Sequence, residues 1–173
     1  MLSFARGPSL PLLDKTIGQV LENAARHNPS GEALVSRHQG IRLSYRDLQS
    51  QVEQTARGLW GLGIRPGDRI GMWAANCAEW IYLQVATARI GAVLVNVNPA
   101  NRSHELRFVL RKSGMKAIFL HERDARANYL EILEGARGVE DLPLAHAVLL
   151  GTDAWTTMVA CGVEPAPPAP MTL

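Results

Sequence analysis

Gly58, Gly61, Gly63 and Gly67 follow one another closely, a density of glycine that could wrap a nucleotide phosphate. A phosphate loop of that kind works because a strand leads into it and a helix leaves it. Backbone N–H groups and the helix amino terminus then meet the anion. Here the apolar pattern places a helix before the glycines and a strand after them, and Gly61-Leu62-Gly63 has no third glycine at the required offset. The four therefore read as helix-end and turn residues. The sequence holds neither a G-x-x-x-x-G-K-[ST] loop nor a G-x-S-x-G nucleophile elbow.

The other polar groups give no catalytic constellation. His27, His38, His104, His121 and His146 are not paired at metal-ligand spacing, and His121-Glu122 lacks the second histidine of a zinc-protease helix. Asp47, Asp68 and Glu79 fall where turns and helix starts are expected, where carboxylates complement the helix dipole and unpaired amides. Arg102, Arg107, Arg111 and Lys112 lie on or beside one helix; they could meet a phosphate-bearing coenzyme, and read first as a solvated face. Trp73, Trp80 and Tyr82 could line an acyl pocket, and read first as core. Asn96 and Asn98 interrupt an apolar strand at its carboxyl end, the edge where open parallel sheets bind ligands; a turn is the plainer reading. No residue emerges as catalytic or as a metal ligand, and no cofactor-binding residue can be named.

Composition narrows the class. Of 173 residues, 47% are hydrophobic and 20% charged, with a net charge of +2, which is ordinary for a globular domain and too small to point to nucleic acid or an anionic membrane. The two cysteines, Cys77 and Cys161, suggest neither a disulfide framework nor a zinc site. No apolar run approaches the roughly 18 residues that would span a bilayer. The start, MLSFARGPSLPLL, reads as an irregular arm, with a short organelle-targeting peptide as the alternative.

Hydrophobic periodicity supplies the elements. A short amphipathic helix is expected over Ile17–Arg26, with Ile17, Val20, Leu21 and Ala24 on one face. Ala33-Leu34-Val35 and Ile41-Arg42-Leu43 flank the turn His38-Gln39-Gly40 and read as a hairpin. Ser44, with Asp47 three residues on, reads as a capping box. It opens a helix whose stripe is Leu48, Val52, Thr55, Ala56, Leu59 and Leu62, with Gly63 ending it in a left-handed conformation. Then Gly67 to Pro99 reads as one βαβ unit: an apolar strand over Arg69–Ala74, a helix capped by Asn76 with Glu79 and buried on nearly every face, Gly91 closing it, and a strand over Ala92–Val97.

Further on, Ser103 is expected to cap a helix carrying Leu106, Val109 and Leu110. Lys116–Leu120 is a strand, Arg123–Leu133 a helix anchored by Tyr129, Leu130 and Leu133, and Ala145–Leu150 a strand. Beyond Gly151 the pattern fades into the proline-rich stretch Glu164–Pro170, which reads as a linker. Alternating helices and short apolar strands predict an α/β fold, mainly a parallel sheet with helices on both faces. The expected organisation is an irregular arm over 1–13, an α/β subdomain over 14–152, and a proline-rich linker or tail over 153–173.

Several stretches resemble the AMP-forming acyl-CoA synthetases of the adenylate-forming superfamily. They are Thr16-Ile17-Gly18-Gln19, Glu32-Ala33-Leu34-Val35, Leu43–Leu48, Gly67–Trp73, Gly91–Pro99, Glu105–Leu110 and Lys116–Phe119. Gly71-Met72-Trp73, taken with Leu83–Ala88, most resembles the medium-chain fatty acyl-CoA ligases. The resemblance runs in unbroken order over residues 14 to 152 and implies the amino-terminal subdomain of that fold.

For the complete family the resemblance implies a ligase of fatty acid metabolism. A carboxylate and ATP, with Mg2+, give an acyl-adenylate and pyrophosphate, and coenzyme A then displaces AMP. The glycine- and serine/threonine-rich phosphate loop, the later threonine-glutamate pair, the ribose-binding aspartate and the carboxy-terminal lysine of that family have no counterpart in these 173 residues. The expectation is thus a truncated or partial synthetase that is inactive alone and binds none of these cofactors tightly. Its partners would be a fatty acid for the full-length enzyme, the remainder of the enzyme, or a second copy of itself. A stand-alone interaction module and a degenerate partial gene product are the alternatives. Cytoplasmic location is expected, with the mitochondrial matrix as second choice.

Overall fold

A computed structural model describes residues 7, 12–137 and 142–161. Six helices and six strands are defined among them: α1 (Ile17–His27), β1 (Glu32–Ser36), β2 (Ile41–Ser44), α2 (Tyr45–Gly61), β3 (Arg69–Trp73), α3 (Ala78–Ile90), β4 (Val93–Asn96), α4 (Ser103–Ser113), β5 (Ala117–Leu120), α5 (Tyr129–Arg137), β6 (His146–Leu149) and α6 (Asp153–Ala160). The strands β1 and β2 pair antiparallel as a hairpin. The other four form one parallel sheet in the order β4-β3-β5-β6. The expected α/β architecture is observed, and β3-α3-β4 is the parallel unit anticipated for Gly67–Pro99.

The period of two along each strand explains the layering. Ile70 and Met72 of β3, with Ala117 and Phe119 of β5, join the cluster formed with α2 and α3. Trp73, Ile118 and Leu120 point the other way, into a second cluster with Leu106 and Leu110 of α4 and Tyr129 and Leu133 of α5. From β3 the chain moves to one neighbour through α3, and from β4 it crosses back to β5 through α4. The two crossovers run in opposite directions, so one preferred hand sends their helices to opposite faces.

Local chemistry sets the element ends. Ser44 and Asp47 form the expected capping box on α2: Asp47 N–H donates to Ser44 Oγ at 3.2 Å and Ser44 N–H to Asp47 Oδ2 at 3.1 Å. Gly63, at φ +79°, closes α2 in a Schellman arrangement, with Gly63 N–H on the Trp60 carbonyl and Ile64 N–H on the Leu59 carbonyl, each at 3.0 Å. Ile64 folds back into the core, fully buried. Between helices, Arg89 of α3 pairs with Glu22 of α1 and reaches Glu53 of α2, tying three helices at one point.

Six sequence expectations differ from the structure. On α1, the residues turned inward are Gly18, Leu21 and Ala25, with Gly18 facing Arg89 of α3; Ile17 and Val20 are 57% and 46% exposed. Asn76 does not cap α3: the N-cap is Cys77, without a side-chain hydrogen bond of its own. Nor is α3 buried nearly all round, since Gln84 is exposed and Trp80, Ile81 and Val85 are half-buried. Ser103 is the first residue of α4 rather than its cap; Glu105 accepts the Arg102 N–H at 3.0 Å, and Ser103 Oγ donates to the Ile132 carbonyl.

The fifth difference is α5, which begins at Tyr129, not Arg123. Asp124 Oδ1 accepts from the N–H groups of Arg126 and Ala127 and folds the preceding segment into a turn. Within the span expected to be linker, residues 153–160 instead form α6. Its Met158 is buried against α2, and its Trp155 meets Phe119 edge-on at 6.1 Å. The proline-rich stretch and most of the amino-terminal arm lie outside the described residues.

Candidate functional site

The structure disperses the sequence candidates. Gly58 sits inside α2 and Gly61 at its end, while Gly63 and Gly67 have φ of +79° and +85° in the turn that leads to β3. Their amides are engaged: Gly63 N–H as above, and Gly67 N–H on the Gly91 carbonyl at 2.8 Å. A triphosphate needs a run of free amides beside serine or threonine hydroxyls. Here Gly63 closes a helix and Gly67 turns the chain into β3, so this glycine cluster does not fit the phosphates of ATP or their magnesium ion.

The aromatic trio does not share a pocket. Trp73 lies on the α4–α5 side, 4.9 Å from Tyr129 in an edge-on arrangement, and donates Nε1–H to the Asn98 carbonyl at 3.0 Å. Tyr82 is buried on the opposite side of the sheet. Only Trp80 reaches an open surface. Asn98 is a turn residue whose Oδ1 accepts from Ala100 N–H at 2.9 Å, and Asn96 is exposed at the end of β4.

On α4, Arg107 donates to the Gly135 and Ala136 carbonyls at 2.9 and 3.2 Å, closing the carboxyl end of α5. Its guanidinium therefore has a structural task, and Arg111 also has a partner. His27 Nδ1 lies 2.7 Å from the Asn23 carbonyl and His38 Nδ1 3.4 Å from Ser36 Oγ. Among the described residues no three His, Cys, Asp or Glu side chains gather in a way that could hold a metal.

Perturbed acids and thiols follow packing. Burial pushes the Cys77 thiol up to about 12 and the Tyr82 phenol up to about 12. Burial, then the hydrogen bond to Asp124 at 2.6 Å, raises Tyr129 to about 12. These groups stay protonated at neutral pH, so none is a nucleophile or base poised for proton transfer.

What the structure does assemble is a junction at the start of α3. Gln39, in the 3-10 turn Arg37–Gln39 between β1 and β2, accepts the Ala78 N–H on Oε1 at 2.8 Å. Its Nε2 donates to Glu79 Oε2 at 2.8 Å, and Ser36 Oγ donates to the same Oε1 at 2.6 Å. The hairpin thereby caps α3 from outside and forms one wall of an open groove, with Trp80 and Ile81 on the other. Sequence spacing gave no sign of this cap, because its donor and acceptor are 39 residues apart.

Two features show surface left uncovered among the described residues. Leu12, Leu13, Ile17 and Val20 are 97%, 72%, 57% and 46% exposed, a stripe along the entry to α1 and its outer face. The edge strand β4 pairs only with β3 and leaves Val93 48% exposed.

Comparison with known proteins agrees with this fold. The family model "AMP-binding enzyme" matches residues 21–168. The chain is 43% identical over 123 residues to the mitochondrial medium-chain acyl-CoA ligase ACSF2 of Rattus norvegicus, covering 71% of this chain and 20% of that protein. It is 39% identical over 122 residues to the putative acyl-CoA synthetase YngI of Bacillus subtilis, covering 70% and 22%. Among solved structures, the N-terminal domain of FACL13 from Mycobacterium tuberculosis superposes with a TM-score of 0.78 at 25% identity, over 88% of this chain and 38% of that one. The chain thus spans about a fifth of the length of the curated relatives it matches.

Proposed function

The chain belongs to the AMP-binding enzyme family, and from that premise we propose that it is the amino-terminal scaffold of an ATP-dependent fatty acyl-CoA synthetase, without adenylating activity as these 173 residues alone. The observation that carries the reading is the continuous family match over residues 21–168 on a four-stranded parallel sheet, with turns whose amides are already engaged. Adenylation develops charge on phosphates, and losing even one preorganised donor costs such a step about 2.7–4 kcal/mol. A chain without the whole phosphate loop has no way to stabilise that charge. The complete enzyme would join a fatty acid to coenzyme A through an acyl-adenylate, using ATP and Mg2+.

The test is pyrophosphate release from octanoate, ATP, Mg2+ and coenzyme A. The purified chain is expected to give none above buffer. Turnover by the chain alone refutes the claim of inactivity.

A second reading, a docking module that acts on another polypeptide, is favoured by the stripe Leu13, Ile17 and Val20 and by the unpaired edge of β4. We infer that the remainder of the same enzyme covers this surface, whether in one chain or supplied separately. Light scattering separates the two readings from a free-standing domain: self-association or a stoichiometric complex is expected, and a clean monomer that binds nothing argues against both.

A further inference from the structure

The sheet edge at β4 presents an open backbone ladder. Val93 N–H donates to the Asp68 carbonyl at 2.8 Å and Val97 N–H to the Met72 carbonyl at 2.9 Å. These odd-numbered residues hold β3, so the alternation along a parallel strand turns the backbone N–H and C=O of Leu94 and Asn96 outward. Among the described residues no strand pairs with that side.

Nothing guards this edge. Ala92 to Val97 holds no charged residue and no proline, and its register with β3 runs without a shift. Charges, prolines and bulges are the usual means of keeping an edge strand from pairing. The β1–β2 hairpin has such devices: Glu32 and Arg42 form an ion pair, and the register shifts between Glu32 and Leu34. In β4, Leu94 packs on the α2–α3 cluster and Val95 on the α4–α5 cluster, while Val93 is 48% exposed. A strand covered on both faces and open along one side accepts another extended strand.

The spacing is self-complementary. With the two-fold axis of an antiparallel pair at Val95, Leu94 stands opposite Asn96 of the second copy, and each such pair exchanges N–H···O=C bonds. On the odd-numbered side Val95 meets its own copy and Val93 meets Val97 of the second copy, a row of β-branched cross-strand pairs. The row is uncharged, so no like charges oppose one another.

We propose that, in the chain by itself, a second copy pairs with the β4 edge, antiparallel about Val95, and joins the two four-stranded sheets into one. The proposal rests on the docking reading above and names the partner of this edge. So short a ladder buries less than the roughly 800 Å2 per partner of a standard interface, so the dimer dissociates on dilution through the micromolar range.

The test is sedimentation equilibrium of the full 173-residue chain from low to high micromolar concentration, with amide hydrogen exchange read by NMR. A monomer–dimer equilibrium is expected. The amides of Leu94 and Asn96 are expected to exchange more slowly as concentration rises, while those of Val93 and Val97 stay constant. Asn96→Pro removes an outward donor without touching the bonds to β3, at an edge position that tolerates proline. Val93→Lys adds a charged guard at an exposed position. Each is expected to weaken the dimer about tenfold or more, with circular dichroism confirming the fold; Val93→Lys carries the test if Asn96→Pro fails to fold. Ile17→Lys, on the α1 stripe, is expected to leave the dimer unchanged. Dissociation by Ile17→Lys and by neither edge variant would overturn this pairing and leave the docking reading standing. A monomer at every concentration would overturn the proposal, as would growth beyond two copies, which requires a head-to-tail contact in place of the two-fold.

Discussion

Gln39 and Glu79, forty residues apart in the chain, are joined by a 2.8 Å hydrogen bond that closes the amino terminus of α3 from outside the helix. The same side-chain amide accepts the N–H of Ala78, which is fully buried. Gln39→Ala leaves that donor without a partner, and an unsatisfied buried N–H or a lost cap costs about 1–2 kcal/mol. The variant is expected to melt several degrees lower than the native chain. Gln39→Asn, one methylene shorter, is expected not to restore the melting temperature. An unchanged melt for Gln39→Ala would show that the bridge contributes nothing to α3.

The two cysteines should differ sharply in reactivity. Cys161 is exposed, whereas Cys77 is buried at the N-cap of α3, where burial pushes its thiol up to about 12. The thiolate is the reacting species, so a disulfide reagent at neutral pH is expected to label one thiol per chain quickly and the second only on opening or unfolding. Gln39→Ala should speed the slow phase. Because the folded value of Cys77 lies above its ordinary 9.0, the stabilisation is complete below pH 9 and fades as pH rises towards 12. Cys77→Ala should therefore show a shallower alkaline decline than the native chain. Equal labelling of both thiols would contradict the burial.

Elements whose signals are local were legible in the sequence. The Ser44–Asp47 box, Gly63 and Gly91 each act within a few residues of themselves, and the apolar runs of β3 and β5 have no face to spare for polar groups. Features made by contacts across the fold were not. On α1, Gly18 and Ala25 are buried and Leu21 is half-buried while Ile17 and Val20 face out, a face rotated from the expected stripe although it shares Leu21, because the neighbours it packs on, Arg89 among them, belong to other helices. Residues 153–160 form a helix because Met158 and Trp155 find Gly58 and Phe119 to pack on, which their own weak periodicity could not announce. The groove beside Gln39 has the same origin: its two walls come from different elements and share no motif.

The approach of α6 to α2 depends on Gly58. A Cβ there would stand 2.6 Å from the Met158 carbonyl oxygen, a backbone atom that cannot swing aside. Alanine is a better helix former than glycine by about 1 kcal/mol, so α2 by itself would gain. Overpacking costs about 1–3 kcal/mol, and relief requires α6 to move as a body. Gly58→Ala is expected to destabilise on balance and to expose Trp155, seen as a red-shifted emission and as faster proteolysis around residues 153–160. Gly61→Ala is the control, since nothing lies within 4 Å of its Cβ position. That variant should be neutral or stabilising, and a matching loss in both would remove the steric account.

Lys116 links two turns through Asp68: its Nζ donates to the Gly63 carbonyl at 2.6 Å and to Asp68 Oδ2 at 3.1 Å, and Asp68 also accepts the Arg65 N–H at 2.8 Å. Burial pushes the Asp68 carboxyl up, but the hydrogen bonds from Arg65 and Lys116 outweigh it and hold the group below its ordinary 3.8. The unfolded chain thus takes up this proton at a higher pH than the folded one. The contribution is therefore present above about pH 4 and is lost as pH falls through the lowered folded value. The pair is partly exposed, so its worth at neutral pH is about 1 kcal/mol or less after screening. Asp68→Asn is expected to lower urea stability by that amount at pH 7 and to converge on the native chain once the pH has fallen below the lowered folded value, with Lys116→Met behaving alike and the double variant less than additive. Native and Asp68→Asn curves that stay parallel from pH 7 down to pH 2 would show that this carboxylate takes no part in acid unfolding.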